Sequence, residues 1–201
     1  MEKKFWILCF LTLMISCKES FKKGIVTSPD FKSEFELDST VELQNVRDAA
    51  YGYLFSYPTS FKEQIDTADN IVFYSIDKKA KLMCFVEGNV AVADSLTNYL
   101  FEYYQNVNKG NHPYIKGSKS IKKQLIYNNL WNNKGEFTIL GQSDTTEFIW
   151  KTELSEFPIS GDLIFKNMLF TYPILERSKY QAIGIEMAKE FGNQFTRLKR
   201  E

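Results

Sequence analysis

From Lys122 to Tyr172 the chain runs through four apolar segments with no helical stretch between them. Lys122–Asn128, Glu136–Gly141, Thr146–Leu154 and Leu163–Tyr172 are rich in β-branched and aromatic residues, and turn residues or Pro173 bound them. Each therefore reads as a strand, and their succession reads as an antiparallel run. Tyr51–Pro58 is a further aromatic strand, introduced by a short segment from Val41 to Ala50. Ile71–Ile76 and Lys81–Val86 face each other across the turn Asp77-Lys78-Lys79-Ala80, a hairpin.

Two segments change period. Asp94-Ser95 precedes Leu96, Tyr99, Leu100, Tyr103, Tyr104 and Val107, which fall on one stripe of a helix stopped by Asn108-Lys109-Gly110. A polar loop then runs to about Ser118. The closing segment from about Ser178 to Phe195 places Tyr180, Ile183, Met187, Phe191 and Phe195 on one side of a second helix. Gly184 inside that helix costs about 1 kcal/mol against alanine, so a close packing contact is expected there. Strands, a helix, more strands and a last helix give the α+β class, with helices covering a largely antiparallel sheet.

Side-chain chemistry is sparse. The chain holds 25 basic and 25 acidic residues, so neither a basic nucleic-acid footprint nor an acidic solvating character stands out, and no nucleic-acid partner is expected. Cys9 belongs to the N-terminal apolar run and Cys84 to the apolar Leu82–Val86, so Cys84 reads as an inert core thiol. The one histidine, His112, lies in a loop; with so few Cys and His no zinc set can be assembled. Asp66, Asp69 and Asp77, and Asp144 with Glu147, lack a calcium-loop signature and read as solvated loop acids. Glu153 and Asp162 flank strands with no spacing that marks an acid/base pair. No nucleophile elbow, phosphate loop or zinc-protease motif occurs. No catalytic residue, metal ligand or cofactor is therefore assigned. Lys116, Lys119, Lys122 and Lys123 form a modest basic patch, read as a solvated strand edge or a contact for an anionic partner. Seventeen Phe and eleven Tyr serve the core first, but Tyr99, Tyr103, Tyr104 and Trp150 are candidates for lining an apolar ligand pocket.

The N-terminus carries an address. Lys3 and Lys4 precede an apolar run from Phe5 to Ile15 and the small Ser16, the layout of a secretory signal over residues 1–16. The run is shorter than the roughly 20 residues of a spanning helix. Leu13-Met14-Ile15-Ser16-Cys17 resembles the lipobox of bacterial lipoproteins, with Met14 where leucine is usual. The resemblance implies cleavage before Cys17, lipid on its thiol, and residence in the bacterial cell envelope, periplasmic or surface-facing. Lys18–Ser33 then reads as a flexible tether, so that 17–34 connects the lipid to a single domain over 35–201.

The domain is similar to the PsbP/Mog1/DcrB-like family from about residue 50 to 195. The likeness rests on Gly52-Tyr53-Leu54-Phe55-Ser56-Tyr57-Pro58, the helix from Asp94, the strands up to Tyr172-Pro173 and a final helix ending near Phe195. It implies an α/β/α sandwich around an antiparallel sheet. It also implies binding rather than catalysis, since that family has no shared catalytic residues. The expectation is a non-catalytic, lipid-anchored envelope protein that binds another protein, with a small apolar ligand as the alternative and an enzyme the least favoured reading.

Overall fold

The computed structural model describes residues 25–27, 31–47, 54–67, 70–90, 96–127, 135–156 and 163–192. The signal segment, Cys17, residues 51–53, Asp69, Asp94-Ser95, Asn128, Asp162 and Phe195 lie outside the described residues. The strands are β1 (Ile25–Thr27), β2 (Leu43–Arg47), β3 (Leu54–Pro58), β4 (Lys62–Thr67), β5 (Asn70–Tyr74) and β6 (Lys81–Val90), then β7 (Lys119–Tyr127), β8 (Gly135–Gln142), β9 (Thr146–Glu156) and β10 (Leu163–Pro173). Helix α1 spans Leu96–Asn108 and α2 spans Arg177–Glu190.

Eight strands form one sheet in the order β1-β7-β8-β9-β10-β6-β5-β4, and every pairing in it is antiparallel. Two meanders, β4–β6 and β7–β10, meet where β10 pairs with β6, with Met168 opposite Cys84. β9 and β10 lie in the middle, apolar on both faces because both faces are covered. Phe148, Trp150, Leu154, Phe165 and Leu169 point to the α1 face, with Leu100, Tyr104 and Val107. Ile149, Met168, Phe170 and Tyr172 point to the α2 face, with Tyr180, Ile183 and Met187. A separate hairpin, β2 on β3, lies on that α2 face and supplies Phe55 to the core. The fold is α+β, an antiparallel sheet between helical layers, as expected.

Four local expectations change. The leader to the Tyr51–Pro58 strand is itself a strand, β2. β4, Lys-Glu-Gln-Ile-Asp-Thr, has little strand propensity and gains its place by edge pairing with β5. Ile76, expected at a strand end, sits in the β5–β6 turn and is 72% exposed. The expected tether is partly built into the fold: β1 pairs with β7, Phe31 packs against the α2-side core, and the Glu34 amide donates to Gln181 Oε1 at 2.8 Å.

Two glycines are fixed by contact. A Cβ on Gly184 would lie 2.5 Å from both Ile149 Cδ1 and Phe170 Cδ1, the close approach expected of it. Gly110, at φ 66°, lies so close to Ser118 that a Cβ would fall 2.3 Å from the Ser118 carbonyl oxygen.

Candidate functional site

The β5–β6 turn, the start of α2 and the strand ends at Pro58–Phe61 surround a groove of about 680 Å³. Its floor is Phe61, Tyr180 and Ile183, all buried; its rim carries Asp38, Glu42, Ile76, Asp77 and Lys179. Local hydrogen bonds hold both acidic rims. On one side the Asp38 carboxylate accepts from the Thr40 amide at 2.9 Å and the Thr40 hydroxyl at 2.8 Å. These donors, the amide first, hold the Asp38 carboxyl below its usual range. On the other side Asp77 accepts from the Ser75 hydroxyl at 2.6 Å and the Lys79 amide at 3.1 Å. The Ser75 bond is the largest cause, ahead of the Lys79 amide and the Lys179 charge, of an Asp77 pKa lowered to about 2. Lys179 lies 3.4 Å from Asp77 and its ammonium lies over the Tyr180 ring. The β5–β6 turn is tied to the segment before α2 by an ion pair of Lys79 with Glu176, beside Leu175, which is 96% exposed. The groove thus combines an apolar floor, fixed carboxylates and two protruding aliphatic side chains at or near its rim.

The four aromatic candidates lie elsewhere. Tyr103, Tyr104 and Trp150 come together under α1, with Tyr99 packed at the margin, but as core. Tyr103 stacks on Phe165 with centroids 4.3 Å apart, and Tyr104 meets Phe137 edge-on. Trp150 is fully buried and its Nε1 donates to Thr152 Oγ1 at 2.8 Å. None of the four lines the groove. Neighbouring rings pack against Tyr103, Tyr104 and Trp150.

Among these rings is a polar cluster that the sequence did not signal. The Tyr103 hydroxyl donates to Glu87 at 2.6 Å, and His112 Nε2 lies 3.0 Å from the same carboxylate. His112, in the loop after α1, is buried against Trp150. Its Nδ1 faces the Tyr114 amide at 3.4 Å, so both ring nitrogens are engaged. Burial pushes the Glu87 carboxyl up, but the His112 and Tyr103 bonds outweigh it and leave it lowered. Burial, then Glu87, raises Tyr103. With its nitrogens occupied, His112 joins the loop after α1 to β6 rather than serving as a free base.

Glu147 is the second surprise. Expected as a solvated loop acid, it is fully buried. It accepts from Tyr172 Oη at 2.5 Å, Gln181 Nε2 at 2.9 Å and the Arg177 guanidinium at 2.5 Å. Its partners lie 25 to 34 residues downstream, beyond the reach of a local motif. Cys84 is buried, as its apolar strand implied. Among the described residues no group of three or more His, Cys, Asp or Glu could hold a metal ion.

No family model matches the chain, and no curated protein matches it. Among solved structures it is similar to the Ran-binding protein Mog1p of Saccharomyces cerevisiae, at 10% identity and a TM-score of 0.42, over 76% of this chain and 95% of that one. It is also similar to a mutant of protein Mog1, at 10% identity and a TM-score of 0.43, over 78% of this chain and 98% of that one.

Proposed function

We propose that this protein is a non-catalytic binding protein of the bacterial cell envelope, held at a membrane by lipid on Cys17. In this reading its domain receives an extended segment of another protein in the groove beside α2. The observation that carries the reading is the groove's make-up: an apolar floor of Phe61, Tyr180 and Ile183 beneath Asp38, Glu42 and Asp77. Lys179, the one basic residue of the lining, is already beside Asp77. The complementary occupant is a segment with a cationic side chain next to an apolar one. Carboxylates on the rim set specificity and encounter rate, while the apolar floor supplies the burial.

The test is site-specific photocrosslinking in cells from position 76, with position 65 on the β4 edge as control. A discrete adduct from 76 that is absent from 65, and that fades when Asp38→Asn and Glu42→Gln are combined, is the expected result. Identical adducts from both positions, or none from 76, overturn the groove as the contact. The anchor is tested separately with a fatty-acid analogue. Cys17→Ala should abolish the label and reduce membrane residence while the domain still folds, because the site precedes the domain's first strand. Equal label in wild type and variant overturns the anchor.

A further inference from the structure

The charges of the chain cancel in total but are not evenly mixed. Between Glu102 and Glu136 the sequence has Lys109, Lys116, Lys119, Lys122, Lys123 and Lys134 and no Asp or Glu. The fold gathers exposed members of this set. The Gly117 amide donates to the Gly110 carbonyl at 2.9 Å, and Gly110 is pressed against Ser118. Lys109, Lys116 and Lys119, all exposed, therefore leave adjoining backbone. Tyr114 and Ile121 project beside them, 50% and 43% exposed. Farther along β7, Lys122 lies 3.3 Å from Glu34. Like charges held close by rigid backbone repel one another, and the core gains nothing from them.

This basic knob leads into β7, and β1 joins the other end of that strand, with Ile25 opposite Ile126. Cys17 precedes Ile25 by eight residues, which reach at most about 29 Å when extended. An anchor at Cys17 therefore leaves the β1–β7 edge within reach of the bilayer.

We infer that the β1–β7 edge, with the knob at 109–121, lies on the anionic headgroups of the bilayer that holds the N-terminal lipid. The inference rests on the anchor reading above and adds a second, electrostatic contact to it. Lysines near an anionic surface attract it within a Debye length, and exposed Tyr and Ile suit the headgroup boundary. An acyl chain and a basic patch together fix orientation, which a lipid on a tether alone leaves free.

The test uses the full lipidated protein on phosphatidylcholine vesicles and on vesicles that also contain phosphatidylglycerol. Flotation and amine acetylation of each lysine are read together. On the anionic vesicles Lys116 and Lys119 should lose acetylation several-fold and regain it in high salt, while Lys62 and Lys78 stay unchanged. Lys116→Glu with Lys119→Glu should weaken the salt-sensitive contact by about fivefold per lysine, the equivalent of about 1 kcal/mol each. If the protein floats with both vesicle types and Lys116 and Lys119 react alike on both, the inference fails and the anchor stands. If it floats only with the anionic vesicles and Lys116 and Lys119 are protected there, the surface stands and the anchor fails.

Discussion

Asp77 shows how much one residue does at the groove. Its carboxylate receives the Ser75 hydroxyl and the Lys79 amide, and it lies 3.3 Å from the Tyr180 hydroxyl. The Ser75 hydroxyl first, then the Lys79 amide and the Lys179 ammonium, favour the ionised form and lower its pKa from 3.8 to about 2. A depressed carboxyl stabilises the fold above its unfolded value, and that contribution is lost as pH falls through the folded one. The β5–β6 turn should therefore stay ordered down to about pH 4 and loosen between there and about pH 2. Carboxyl-carbon NMR checks this: the Asp77 midpoint should lie near 2 in wild type and move toward 3.8 in Ser75→Ala. A wild-type midpoint at 3.8 would remove the role given to Ser75. In the sequence Asp77 was legible as a turn residue and no more. Its hydroxyl partner is two residues away, but its contacts with Lys179 and Tyr180 exist only once α2 has docked.

Elements were legible where burial imposed a period. The strands from β7 to β10 and helix α1 lie within a few residues of their expected bounds, because each has a strong apolar pattern. β4 was not legible because an edge strand owes its place to a neighbour rather than to its own composition. The one-sided stripe expected for α2 was also too simple. Tyr180–Ile185, Met187 and Ala188 are all buried, since the sheet covers one side of the helix and the β2–β3 hairpin another. Gly184 marks where α2 comes nearest the sheet. Alanine there gains about 1 kcal/mol of helix propensity but drives a methyl to 2.5 Å from Ile149 and Phe170, both fully buried. Overpacking typically costs about 1–3 kcal/mol and here lacks free volume to relax into. Gly184→Ala should therefore lower stability by about 1 kcal/mol net in urea denaturation. A midpoint at or above that of wild type would show that the two layers can slide apart.

At the scale of the whole molecule Glu147 ties together four parts of the chain. As the second residue of β9, it takes Tyr172 from the end of β10 and Arg177 and Gln181 from α2. Through the Gln181 oxygen it reaches the Glu34 amide, so the orientation of one side-chain amide is set by the carboxylate on one side and read by the N-terminal segment on the other. Glu147→Ala should cost about 3 kcal/mol, the low end for a broken buried pair, because Arg177 keeps part of its side chain in water. It should also speed amide exchange at residues 33–35 more than in the middle of β9. Unchanged exchange there would show that the segment docks independently of the carboxylate. None of this was legible: Ser143-Asp144-Thr145-Thr146 resembles any polar turn, and only the completed sheet brings Tyr172 and Arg177 to it.

That arrangement also has a mechanical side. Among the described contacts, a pull on the chain ahead of Ile25 meets the three residues of β1 on β7 first. The next described attachments are Phe31 in the α2-side core, the Lys32 carbonyl beneath Lys122 and the amide of Glu34 on Gln181. None of these contacts takes part in the pairing of β8 with β9 or of β9 with β10. A domain moored by its N-terminus to a fluid, shearing surface would thus yield slack at its border and spare its centre.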